Sequence, residues 1–88
     1  MYYRNNDIHS RNLADSIQNR LKTITSSKYL PVSGDFYLLN QTETLGVLVE
    51  VGFMSNSEDL SCLQDDSYRK DLVYGIYQGI SDFLSIFI

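Results

Sequence analysis

The sequence predicts an α/β fold: part of a twisted, mostly parallel sheet of two or three strands, packed by two amphipathic helices and one short helix. Three observations carry this. The run Val47-Leu48-Val49-Glu50-Val51 is continuously apolar apart from one acid, which fits a strand covered on both faces in the middle of an α/β sheet. Leu13, Ala14, Ile17, Leu21 and Ile24 recur at helical spacing, and Tyr68, Leu72, Val73, Ile76, Tyr77, Ile80, Phe83, Leu84 and Phe87 fall on one broad helical face. Helices alternating with buried strands define the α/β class.

In chain order, Met1 to Arg4 is a short strand candidate, and Asn5-Asn6-Asp7 reads as a turn. Asp7 or Ser10 then N-caps an amphipathic helix of about four turns, which ends in Thr25-Ser26-Ser27-Lys28. Tyr29 to Asp35 reads as a loop broken by Pro31 and Gly34, and Phe36 to Leu39 as a strand. After the Val47–Val51 strand, Ser57, Glu58 and Asp59 open a short helix, with acids at its positive end. Asp65-Asp66-Ser67 opens the last helix, where Gly75 and Gly79 are expected to allow close approach to a sheet. A central strand wants neighbours on both edges, and these elements are too few to supply them. The chain reads as part of a sheet whose other part is missing.

Composition narrows the function. The chain has 88 residues, 43% hydrophobic and 20% charged, which fits one small domain or a piece of a larger one and argues against disorder. Seven Lys and Arg against eleven Asp and Glu give a net charge of -4, so no nucleic-acid partner is expected. Cys62 is the single cysteine, which excludes an internal disulfide, and it reads as a small buried residue. His9 is the single histidine, set among polar neighbours, and reads as a surface residue. No stretch reaches the roughly 18 apolar residues of a membrane span. Met1 to Asn6 is not followed by the apolar stretch of a signal peptide, so no targeting signal is read.

Glu50 is the sharpest chemical signal. A carboxylate inside Val-Leu-Val-Glu-Val-Gly-Phe is costly to bury ionised and unpaired. It points into a polar site or carries a raised pKa, as active-site acids do, or strand alternation sends it to solvent, or it pairs with a cation. Asp65 and Asp66 read as a helix-capping pair rather than a metal site. The seven Tyr are spread along the chain and read as core packing, with Tyr68 and Tyr77 on the core face of the last helix. Ser55-Asn56-Ser57 has no His partner that would make a serine nucleophile.

The residues Val47-Leu48-Val49-Glu50-Val51-Gly52-Phe53-Met54-Ser55-Asn56, the spacing from Phe36 to Glu50, and Tyr74-Gly75-Ile76-Tyr77-Gln78-Gly79-Ile80 together resemble the zinc-dependent N-acetylmuramoyl-L-alanine amidases. Asn12-Leu13-Ala14-Asp15-Ser16-Ile17-Gln18 looks like the helix that family places after its metal-binding strand. Glu43, Gly46 and the Tyr-Gly-Ile-Tyr segment look most similar to the germination-specific, spore-cortex branch. The resemblance covers essentially the whole chain and implies that residues 1–88 are the C-terminal portion of a catalytic domain, an incomplete phosphorylase/hydrolase-like amidase fold. It departs from the family at Asn40, where a basic residue is common, and at Leu45, where Pro is common.

The resemblance implies hydrolysis, in the intact domain, of the peptidoglycan amide between N-acetylmuramic acid and the L-alanine of the stem peptide. It implies extracytoplasmic action at the cell wall or spore cortex. The family's zinc is held by two His and one Glu upstream of the matching region. No zinc is therefore expected on this chain alone, and alone it is expected to be inactive. Of the family's functional residues, only the catalytic glutamate maps, onto Glu50, as general base on the metal-bound water or as stabiliser of the tetrahedral intermediate. A different reading stays open: a noncatalytic interaction module that self-associates, or complements an N-terminal half, through an open sheet edge.

Overall fold

Asn6 and Asp7 turn the first strand into the first helix. The computed structural model describes residues 1–25, 31–41, 44–51 and 56–87. It orders them as β1 (Tyr2–Arg4), α1 (Ile8–Leu21), β2 (Val32–Gly34), α2 (Tyr37–Asn40), β3 (Val47–Leu48), α3 (Ser57–Leu63) and α4 (Asp66–Phe87). Asn6 takes a left-handed φ of 57°, which asparagine tolerates better than most residues. Asp7 then accepts hydrogen bonds from the backbone N–H groups of His9 and Ser10, meeting two of the four donors a helix start leaves unpaired. Asn56 does the same for α3, with Glu58 and Asp59 in its first turn. Asp65 does it for α4, accepting from Ser67 at 2.8 Å and Tyr68 at 3.2 Å.

The sheet runs in the order β2-β1-β3. β1 pairs with β2 in parallel (Tyr2 opposite Val32) and with β3 antiparallel (Tyr2 opposite Leu48), so the sheet is mixed. Three expectations change here. β1, not the Val47–Val51 strand, is central among the described residues, and β3 lies at an edge. The segment read as a loop contains β2; Pro31, which has no N–H to donate, is tolerated at the start of such an edge strand. The predicted strand Phe36–Leu39 is instead the short helix α2, in which Asn40 N–H donates to the Phe36 carbonyl and Leu39 is buried. An apolar run of four does not discriminate helix from strand. The Phe36 ring lies 4.9 Å from Tyr2 and fills the space a Cβ at Gly34 would need.

The core centres on Ile17, Leu21 and Leu72, with Met1, Leu13, Ile24, Val47, Val49, Leu63, Tyr68 and Ile76 packed against them. α1 lies between the sheet and α4, touching β1 and β3 as well as α4. A Cβ at Gly79 would come 2.5 Å from the Ile17 Cα, so the two helices meet backbone to backbone there. One turn away Gly75 faces Leu21 and Ile24, which makes the seam antiparallel. The two glycines thus admit a helix, where the sequence suggested a sheet. The broad apolar face of α4 also divides. Leu72, Gly75, Gly79 and Phe83 are buried, while Val73 (67% exposed), Tyr77 (62%), Ile80 and Leu84 point outward. One neighbouring helix covers one stripe, and Tyr77 therefore stacks on Tyr74 at the surface rather than in the core. Cys62, expected inside, is exposed on α3.

The seam carries one ionic clamp. Arg20 donates from Nε (2.7 Å) and a terminal nitrogen (2.9 Å) to the two oxygens of Asp82. This hydrogen-bonded guanidinium holds the Asp82 carboxyl below its ordinary 3.8.

Two outcomes follow from the seam. Gly79→Ala forces overpacking of about 1–3 kcal/mol, offset by about 1 kcal/mol of helix propensity. Urea denaturation should show a net loss for Gly79→Ala and a smaller one for Gly75→Ala, whose neighbours are movable side-chain tips; Gly79→Ala at or above wild-type stability contradicts the close approach. The stabilisation from the clamp is present above the unfolded carboxylate value and is lost as pH falls through the depressed folded one. The urea midpoint of Asp82→Asn should therefore lie below wild type at pH 7, and the gap should begin to narrow near pH 3.8 and close below the depressed folded value; a gap constant from pH 7 to pH 2 contradicts it.

Candidate active site

β3 aims its residues to two sides. Successive strand residues point to opposite faces. Val47 and Val49 pack on the core, so Leu48 and Glu50 face away from α1, with Tyr2, the cross-strand partner of Leu48, on the same outer face. Glu50 sits just past the carboxyl end of β3 and is exposed. Of the alternatives left open for this acid, exposure to solvent is the one found. Gly52 to Ser55, which complete the motif, and Glu43 lie outside the described residues.

The start of β3 is tied to the start of α1. Ser10 is 0% exposed. Its hydroxyl donates to Asp7 Oδ2 at 2.8 Å and accepts the Gly46 N–H at 2.7 Å. The Gly46 carbonyl in turn accepts from the Arg4 N–H at 3.3 Å. Desolvation pushes the Asp7 carboxyl up, but the hydrogen bonds from Ser10 (hydroxyl and N–H) and His9, with the charge of Arg4, outweigh it and hold the group below its ordinary value. Sequence reasoning treated Ser10 only as a capping alternative. The signal for more was a small hydroxyl three residues after the cap, on the helix face that also carries Ala14 and Ile17.

His9 is exposed in the first turn of α1, with its backbone N–H on Asp7. Asp66 pairs with Arg69, and Asp65 caps α4, as a capping pair should. The family resemblance implies zinc. Among the described residues no three His, Cys, Asp or Glu side chains are grouped closely enough to hold a metal ion. These residues do not form a zinc site of their own.

Residues 1–82 match the model of the N-acetylmuramoyl-L-alanine amidase family, Amidase_3. The probable N-acetylmuramoyl-L-alanine amidase AmiB of Haemophilus influenzae is 38% identical over 64 residues, covering 73% of this chain and 15% of that protein. The germination-specific N-acetylmuramoyl-L-alanine amidase of Bacillus subtilis is 30% identical over 78 residues, covering 89% of this chain and 32% of that one. The CwlD amidase of Clostridioides difficile, solved in complex with the GerS lipoprotein, superposes with a TM-score of 0.91 at 31% identity, over 97% of this chain and 45% of that one. The chain thus spans between 14% and 37% of the length of the curated relatives it matches.

Proposed function

The chain belongs to the N-acetylmuramoyl-L-alanine amidase family, and from that premise we propose that it forms the C-terminal portion of a catalytic domain that hydrolyses the peptidoglycan amide between N-acetylmuramic acid and the L-alanine of the stem peptide. The observation that carries this reading is Glu50, an exposed carboxylate just past the end of a strand whose neighbours Val47 and Val49 are anchored in the core. β3 runs antiparallel to β1, so Glu50 lies at the edge of the sheet where β1 and β2 begin. Amide hydrolysis moves a proton from the attacking water to the departing amine, and Glu50 is the group assigned to carry it. We assign the zinc typical of the family to ligands upstream of the matching region, and on that assignment the chain alone is expected to be inactive.

The work is assigned to the cell wall or spore cortex, outside the cytoplasm; the likeness to a germination-specific relative supports the cortex. No helix among the described residues is long and apolar enough to cross a membrane. The second reading, an interaction module, draws on β3, which among the described residues pairs on one side only. A two-residue ladder is a poor template for self-association. The edge is better suited to completion by the upstream part of the same domain.

A chimera tests the assignment: this chain replaces the aligned segment of the B. subtilis germination-specific amidase. The chimera is expected to release L-alanine-linked stem peptides from peptidoglycan, and Glu50→Gln to lower kcat by about 10²–10⁴-fold with KM unchanged. A folded chimera without cleavage, or one whose activity survives Glu50→Gln, overturns the proposal.

A further inference from the structure

The fully buried Ser10 holds the peptide from which β3 departs. β3 needs such a hold. Its ladder with β1 comprises Val47 and Leu48 alone. Two paired residues specify register weakly, and a slip of one residue turns every side chain to the other face. Here a slip would carry Glu50 toward α1 and expose Val47 and Val49. At Gly46, one residue before the strand, both backbone groups are fastened: the N–H to Ser10 on α1 and the carbonyl to the Arg4 N–H at the end of β1.

We propose that Ser10 and Asp7 are positioning residues for Glu50, a latch that sets where β3 starts and so where its carboxylate ends up. This rests on the role proposed for Glu50. The four residues from Gly46 to Glu50 span roughly 13 Å of extended chain. An error in where the strand begins is transmitted along it, and a misplacement of about 1 Å at a reacting group costs on the order of 10²-fold in rate. The chemistry of the position suits Ser. A hydroxyl donates and accepts at once, as required between a carboxylate and an N–H. Alanine leaves the Gly46 N–H without its acceptor, and threonine adds a methyl where nothing is exposed.

The latch is separable from the helix cap because Asp7 uses different oxygens for them. Oδ1 accepts the His9 and Ser10 N–H groups, and Oδ2 accepts the Ser10 hydroxyl. Asp7→Asn retains an acceptor for the cap, at which Asn and Asp are equivalent. It puts an NH₂ donor where the hydroxyl needs an acceptor.

Two readouts test the latch. In the 88-residue chain, nuclear Overhauser contacts from Tyr2 to Leu48 and from Tyr3 to Val47 report the register, and those from Ile17 to Gly79 report the helical seam. Asp7→Asn and Ser10→Ala are expected to weaken the first set and leave the second. In the chimera, Asp7→Asn is expected to lower kcat about 10²-fold at unchanged KM. If Ser10→Ala does not fold, Asp7→Asn decides. Strand contacts like wild type in Asp7→Asn, or a wild-type kcat in an active chimera, overturn the latch. A wild-type chimera without activity counts against the amidase reading instead, and the strand contacts then decide the latch alone.

Discussion

The close approach of α4 to α1 at Gly79 is the constraint on which the rest of the chain depends. Ile17 is buried between that glycine and the sheet side of the core, so the depth to which α4 seats fixes how α1 sits on β1 and β3. Arg20 lies three residues after Ile17, and Asp82 three after Gly79; in an antiparallel seam these steps run in opposite directions, so the ionic clamp reaches across the tightest contact. The clamp is half exposed and therefore screened by salt; packing at Ile17 and Leu21, rather than charge, holds the seam. In a chain this small, about 60% burial of surface leaves little redundancy behind one such contact.

Given that seam, the two faces of the sheet take different work. The inner face, with Met1, Val47 and Val49, completes the core on α1. The outer face, with Leu48 and Glu50, is left for another body. Exposure of Glu50 is thus a consequence of alternation on a strand anchored by its neighbours. The proton-handling role proposed for Glu50 needs that exposure.

Much of this could be read from the residues, and where it could not the reason is physical. The boundaries of α3 and α4 and the cap of α1 are local chemistry: a side-chain acceptor just ahead of a periodic apolar stretch, at Asp7, Asn56 and Asp65. β2 and α2 were misread because Val32–Gly34 and Tyr37–Asn40 are too short for periodicity to act, and their states are set by pairing with β1 and by the burial of Leu39. The outward turn of Val73, Tyr77, Ile80 and Leu84 is not local either. Hydrophobicity marks which residues can be buried, while the number of neighbouring helices decides how many are. Glu50 was legible as a candidate because an acid in an apolar strand is conspicuous. The Ser10 link to Gly46 was not, because it joins positions 36 residues apart.

On the proposed function, Glu50 serves a metal site whose ligands lie outside the described residues of this chain. Native mass spectrometry of the purified chain, after incubation with zinc and buffer exchange, tests it most directly. The account predicts the zinc-free mass, in Glu50→Gln as in wild type. One zinc retained per chain, and lost in Glu50→Gln, would contradict it.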